Sequence, residues 1–375
     1  MNALLCALLV AHGVAHLAGF AVPWRLVESD EMPYKTTVLG GRIDLGPTGI
    51  RVMGVLWLAA GVATMAAGSA WLLRWADPVP LTIGVAAASL VLCLVEWPLT
   101  RIGLAVNLVL LIAMPLAAER NWREQSRQAL TVLVDSQRRS PRVEAARVDG
   151  LPPPVARYFR RVLPAGARTI ASVELSQTGE MFVGNAWRPL AATQRFTTNP
   201  PGFVWDARVT MAPLVAVNVR DMYVHGTGSM RASALAAVPV VNQRGTPELD
   251  AAALHRYFAE AVWFPTALLP SARVTWSAVD DHRAAAVLVD QHTRVRLEFR
   301  FDDAGDVTEV FARDRFAESN GRYEPRPWLV RCREYRAFDG VRVPTDCEVE
   351  WELAGGPLAY WRGRVTSLRF TWATD

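Results

Sequence analysis

Four long apolar runs lie in the first 118 residues of this 375-residue chain, and nothing comparable follows them. Met1–Trp24, Val52–Leu73 and Val79–Val95 carry no charged side chain, and neither does the shorter run Ile102–Ala118. About 20 mostly apolar residues suffice for a helix to cross the ~30 Å hydrocarbon core of a bilayer. Because lipid offers the backbone no hydrogen-bond partners, runs of this kind fold as helices that satisfy themselves. The pattern predicts a multi-domain protein: a four-helix transmembrane domain over residues 1–118, a polar Arg-rich linker over 119–150, and a soluble domain over 151–375.

The first run lacks a basic leading segment and is followed by more apolar runs, so it reads as a retained span, not a cleaved leader. Arg25, Lys35, Arg42 and Arg51 follow the first span and Arg101 lies in the third loop, whereas the second loop has only Arg74, offset by Asp77. The excess of basic residues on cytoplasmic loops then places the protein in the inner or plasma membrane as a multi-pass protein with its soluble domain outside the cytoplasm. Arg120, Arg123 and Arg127, just after the fourth run, pull the other way. A formal net charge of +4 is small for this length, and Lys35 is the only lysine. That balance implies no nucleic-acid partner; the partners expected are membrane lipid and a protein of the envelope.

Polar groups within the runs are costly and usually face a bundle interior. His12 and His16 share one helix face, Glu96 ends the third run, and Asn107 lies inside the fourth. Two readings stay open. His12, His16 and Glu96 form a cluster for a metal, haem or proton, or they hydrogen-bond between helices that Ala11, Ala15 and Gly19 allow to approach closely. No cofactor is assigned.

Beyond the linker the pattern changes. Val155, Tyr158, Phe159, Val162 and Leu163 mark a short amphipathic helix after Leu151-Pro152-Pro153-Pro154. After it the apolar period becomes two, as in strands with one buried face: Phe203 to Met211, Val295 to Phe301, and Val341 to Leu353. Asp339-Gly340 is a two-residue hairpin turn, whose register sets Trp328 opposite Trp351, Val330 opposite Val349 and Cys332 opposite Cys347. A disulfide between Cys332 and Cys347 and two free buried thiols are both compatible with that register. Thr246-Pro247-Glu248 starts a helix that interrupts the strands, and Trp263-Phe264-Pro265 ends it. The soluble part is thus a mainly antiparallel sheet of about ten strands with two or more helices, long enough to curl. A curled sheet with helices inside offers an apolar concavity, for which the candidate ligand-binding residues are Phe203, Trp205, Phe258, Trp263, Phe299 and Trp351.

Several segments carry a family resemblance: Leu151-Pro152-Pro153-Pro154 with its Arg-rich helix, Phe203-Val204-Trp205-Asp206-Ala207, Arg220-Asp221-Met222-Tyr223, Trp263 to Pro270, and Leu297 to Asp302. Together they resemble an uncharacterised bacterial domain-of-unknown-function family over residues 148–370, which supplies no catalytic residues. The order of strands, midway helix and hairpins is also similar to the lipoprotein-carrier fold of periplasmic carriers of acylated proteins and glycolipids.

Catalytic patterns are missing: no Gly-x-Ser-x-Gly elbow, HExxH, phosphate loop or GxGxxG. His225 and Asp221 are too far apart along a strand to pair directly, and Asp280-Asp281 and Asp302-Asp303 read as turns. No catalytic residue is assigned, and enzymatic activity is not expected. The leading expectation is a membrane-tethered domain binding a lipid or other apolar ligand. The alternatives are an envelope scaffold without ligand and a membrane redox or transport component built on His12, His16 and Glu96.

Overall fold

The computed structural model describes residues 2–28, 30, 32–73, 75, 78–138, 150–213 and 215–373. Arg74, Asp77 and the linker residues 139–149, with their Ser140-Pro141 break, lie outside the described residues. The chain divides into two compact units, Met1–Trp122 with Ala236–Val238, and Arg123–Leu235 with Pro239–Asp375.

The first unit holds α1 (Asn2–Ala21), a two-residue ladder of β1 (Thr37–Val38) and β2 (Ile43–Asp44), α2 (Gly46–Leu72), α3 (Val79–Val95) and the opening turns of α4 (Arg101–Arg138). Among the described residues, three helical segments are long and apolar enough to cross a membrane: Asn2–Ala21, Gly46–Leu72 and Arg101–Asp135. The third expected span, α3, is an apolar helix of only 17 residues. The expectation of four spans therefore narrows to three candidates and one short helix.

Helices α1 and α2 touch almost backbone to backbone. A Cβ on Gly13 would lie 2.7 Å from the Gly61 carbonyl oxygen, and one on Gly61 2.8 Å from that of Gly13. Gly19 leaves room for the Trp57 ring, 2.5 Å from where its Cβ would be. Small residues let two helix backbones approach this closely. The buried face of α1 is Leu9, Gly13, His16 and Gly19. The expected role of Ala11 and Ala15 is corrected: both are exposed, because the contact follows the three- and four-residue spacing from Leu9 and leaves them off the seam.

The second unit opens with α5 (Pro153–Val162) and then forms one sheet. Its strands are β3 (Ile170–Val183), β4 (Ala186–Thr198), β5 (Pro201–Ala212), β6 (Val215–Val224), β7 (Thr227–Ala234) and β8 (Val238–Arg244). After α6 (Pro247–Glu260) and two 3-10 turns follow β9 (Val274–Ala278), β10 (Arg283–Asp290), β11 (Thr293–Phe301), β12 (Val307–Ser319), β13 (Arg322–Phe338), β14 (Val341–Leu353) and β15 (Gly356–Trp372). The order is β8-β7-β6-β5-β4-β3-β15-β14-β13-β12-β11-β10-β9. All neighbours are sequential except β3 and β15, so two meanders meet in mid-sheet and α6 links the outer strands. The sheet is antiparallel and curled, with thirteen strands against the ten expected. The additional strands include β7, whose sequence TGSMRASA has little apolar alternation to mark it.

The hairpin at Asp339-Gly340 has the predicted register: Phe338 pairs Val341, Cys332 pairs Cys347, Val330 pairs Val349 and Trp328 pairs Trp351. A slip of one residue would have turned every one of these side chains to the other face.

The sequence signals also fix α6. Thr246 accepts a hydrogen bond from the Leu249 amide at 3.2 Å, Pro247 opens the helix, and Glu248 and Asp250 lie in its first turn. The helix packs on β5, β6 and β7 of one meander and on β11, β12 and β13 of the other. Gly228 on β7 permits this approach, since a Cβ there would lie 2.6 Å from the Leu249 carbonyl oxygen. The Gly228 amide also donates to Asp250 at 2.6 Å.

Candidate functional site

Between α6 and the concave face of the sheet lies a cavity of about 220 Å³. Strand alternation aims its lining. Trp205 on β5 pairs with Asp221 on β6, which pairs with Met230 on β7, so one row of residues points inward. On the second meander the row is Trp328 on β13 and Trp351 on β14, and Val349 leads to Trp361 on β15 and Met181 on β3. Trp263, from the turn after α6, completes the wall, and its indole donates to the Pro344 carbonyl at 3.0 Å.

The other indole groups are also anchored. Trp205 donates to Gln177 Oε1 at 3.0 Å, and Trp328 donates to the Tyr360 hydroxyl at 3.0 Å. Trp351 stacks on Tyr360 with centroids 6.0 Å apart and planes 19° apart. With their indole N–H groups satisfied, Trp205, Trp263 and Trp328 present apolar ring faces to the cavity.

Four charged side chains share the space. Arg256 and Glu260 lie one turn apart on α6, a helix otherwise buried along Ala252 to Ala259 on most of its faces. Arg256 donates through Nη1 to Asp221 Oδ2 at 2.6 Å and through Nε to Glu260 Oε1 at 2.9 Å. The second oxygen of Glu260 accepts from Gln194 at 2.8 Å. The guanidinium also lies 4.7 Å from the Trp205 ring centroid and 5.1 Å from that of Phe203, within cation–π range. Burial works against the charge on Arg256, but Glu260 and Asp221 outweigh it and hold its pKa above the ordinary value. Burial holds the Glu260 carboxyl above the usual carboxylate range, with Arg256 opposing. The fourth group is Arg315 on β12, 4.7 Å from the Trp328 ring centroid and 5.1 Å from that of Trp351. Burial lowers its pKa, partly offset by Tyr360 and Asp221.

Of the six residues expected to bind ligand, Trp205, Trp263 and Trp351 line this cavity. Phe203, Phe258 and Phe299 do not; they are fully buried in the surrounding core, with Phe258 and Phe299 in edge contact at 5.9 Å. Sequence alternation identifies the inward face but not which inward residues border a void. The charged quartet was missed. Its signal was present in part, in two opposite charges four residues apart at the C-terminal end of a helix whose positions from Ala251 on are otherwise mostly apolar. Asp221 was singled out only for His225, which sits in a turn with φ of 53°; its partner is Arg256.

In the first unit, His12 Nε2 lies 3.1 Å from Asn107 Oδ1, and His16 bonds the His12 carbonyl and the Ser89 hydroxyl, both at 2.7 Å. Asn107 donates to Ser89 at 2.7 Å. Glu96 pairs instead with Lys35 at 3.2 Å. His12, His16 and Glu96 nevertheless border one cavity of about 430 Å³. Among the described residues no group of three or more His, Cys, Asp or Glu is placed to hold a metal ion. Cys332 and Cys347 are buried free thiols with sulfurs 3.9 Å apart.

A family model described as a family of unknown function, DUF6544, matches residues 141–363. No curated protein matches the chain. Similar solved structures include a domain described as an outer membrane lipoprotein-sorting protein from Vibrio parahaemolyticus, at 9% identity and a TM-score of 0.33, covering 61% of this chain and 95% of that one. A DUF1329 family protein from Desulfovibrio piger gives 12% identity and 0.31, covering 60% and 95%. A LolA superfamily protein from Nitrosomonas europaea gives 10% and 0.26, covering 59% and 94%.

Proposed function

Since the chain belongs to the DUF6544 family, whose function is unknown, we propose a role from its geometry: a membrane-tethered protein whose sheet domain binds a lipid or other apolar ligand. The observation that carries this reading is the cavity on the concave face, walled by Trp205, Trp263, Trp328, Trp351, Tyr360 and Trp361. Ligand sites are concave, largely apolar, and contain a few placed polar groups. At about 220 Å³ this cavity is smaller than the ~300–1,000 Å³ of sites that engulf a drug-sized ligand. It suits one acyl chain or part of one, not a whole two-chain lipid.

The tether in this reading is the apolar helices of the first unit. Three are long enough to span, and α3 with 17 residues sits at the lower limit for a fourth span. With four spans, Arg25, Lys35, Arg42 and Arg101 on cytoplasmic loops favour the extracytoplasmic side of the plasma membrane for the sheet domain.

Native mass spectrometry of the detergent-extracted full chain tests the proposal. A co-purified lipid or fatty acyl species is expected, displaced when Met230→Arg places a further charge and a longer side chain in the cavity. A protein that carries no apolar molecule and takes up none from added lipid would overturn the reading.

A further inference from the structure

Resting on the apolar-ligand reading, we propose that the ligand is a monoanion whose carboxylate pairs with Arg315 inside the cavity, a long-chain carboxylic acid bound head inward. Three observations carry this.

Arg315 is aimed inward by an irregularity in its strand. On β12, Ala312 pairs with Trp328 and Arg315 pairs with Arg326, and the ladder shifts register between them. Trp328 and Arg326 are two residues apart on β13 and so share a face. In regular alternation Ala312 and Arg315, three apart, would point to opposite faces. The bulge puts them on the same one. Bulges commonly re-aim a side chain in this way beside functional sites, and without it Arg315 would point to the convex side.

Arg315 is also the one cavity cation without a carboxylate. Among the described residues it makes no ion pair and no side-chain hydrogen bond, and its Nε is a buried donor without a partner. Arg256, by contrast, uses both Asp221 and Glu260. A guanidinium has five donors in a planar fork matched to a carboxylate, and buried donors of this kind rarely go unpaired. What Arg315 has instead is two ring faces, Trp328 and Trp351, which hold the fork in place and leave its edge free.

The charge of the surroundings disfavours more than one negative charge. Two guanidiniums and two carboxylates line the cavity, so a bound monocarboxylate leaves a single excess charge and a dianionic phosphate monoester leaves two. Behind the fork the walls are indole and methionine surface, the environment of an alkyl chain.

The test uses the full chain in phosphatidylcholine nanodiscs and dodecanoate labelled with 13C at the carboxyl carbon. A protein-bound carboxyl resonance is expected, distinct from that in empty nanodiscs. It should stay ionised to lower pH than the bilayer-dissolved acid, because an adjacent cation favours the carboxylate form. Unlabelled dodecanoate should displace it at about 10- to 100-fold lower concentration than dodecanol, the range of a charge-assisted hydrogen-bonded pair. Arg315→Gln should erase that difference, and Arg315→Lys should restore part of it. Equal displacement by acid and alcohol overturns the carboxylate assignment and leaves the apolar-ligand reading standing. Displacement by neither overturns the apolar-ligand reading itself. Dodecyl phosphate outcompeting dodecanoate tenfold would replace the monocarboxylate with a phosphate. The acid–alcohol comparison is made on the parent chain, so it decides the assignment even where R315Q misfolds.

Discussion

Arg256 on α6 donates to Asp221 on β6 at 2.6 Å, and this bond joins the helix to the sheet at the floor of the cavity. Both side chains are only 16% exposed, and Glu260 completes the network at 15%. Removing one member of a buried pair leaves a charge uncompensated, which costs about 3–5 kcal/mol, whereas replacing the whole network by apolar groups of similar volume is often neutral. Arg256→Met should therefore lower the thermal midpoint of the sheet domain sharply, followed by circular dichroism of its strands. Adding Asp221→Asn and Glu260→Gln should recover most of the loss. If the single and triple variants melt alike, the network is not what anchors α6.

Gly228 controls the same anchoring from the other side. Its missing Cβ is the space that the Leu249 carbonyl occupies, 2.6 Å away, with Ala253 Cβ at 3.0 Å. Backbone atoms cannot swing aside as a flexible side chain can. Gly228→Ala should displace the first turns of α6 and destabilise the domain by about 1–3 kcal/mol, the usual cost of overpacking. The displacement would carry Arg256 with it, so faster hydrogen exchange across α6 amides is the expected signature. Unchanged exchange would show that the contact is not tight.

Burial of His255 adds an acid-sensitive contribution to the stability of the fold. The residue is 4% exposed on α6, and burial, aided by nearby Arg315 and opposed by Asp314, lowers its pKa to about 4. In the unfolded chain it titrates near 6.5. Between those values the unfolded state binds the extra proton, so stability falls as pH drops from about 6.5 to about 4 and levels off below. The shift corresponds to at most about 3–4 kcal/mol. Glu260, whose folded pKa is raised, works in the opposite direction over part of this window, so the test is a difference. His255→Gln should melt with a shallower pH dependence than the parent chain between about pH 6.5 and 4. Parallel curves would mean that His255 is not protonated differently in the two states.

What the sequence made legible follows from which interactions are local. The 339–340 turn and two-residue alternation are near-neighbour properties, and they were enough to place Cys332 against Cys347 and Trp328 against Trp351 fifteen and more residues apart. The N-cap at Thr246 is likewise written in adjacent residues. The junction of β3 with β15 is not, because its partners, such as Met181 and Trp361, are separated by most of the domain. Neither is the bulge on β12. Arg313-Asp314-Arg315 reads as a polar stretch on a strand, and only the ladder shift shows which of its charges turns inward. Half of the expected ligand residues fell beside the cavity and half in the packed core around it, because a periodic pattern gives a face, while a void depends on how far α6 stands off the sheet.

Under the proposed membrane-tethered role, the two cysteines on this register offer a test of which side of the membrane the sheet domain occupies. Cys332 and Cys347 are 4% and 3% exposed, and Cys347 donates to Cys332 with the sulfurs 3.9 Å apart. That hydrogen bond, together with burial, raises the Cys347 pKa, so the thiol form is favoured and reaction with oxidants or alkylating reagents is slow in the folded state. In an oxidising compartment, however, the pair meets its oxidant during folding, before the sheet closes, and disulfides persist there. An extracytoplasmic domain should therefore be isolated, without reductant, with both cysteines resistant to alkylation after unfolding and with a mass lower by two hydrogens. Cys332→Ser should abolish the mass difference and leave Cys347 free to react. If the unfolded parent chain is alkylated at both positions, the domain folded in a reducing compartment, and the orientation read from Arg25, Lys35 and Arg42 must be reversed.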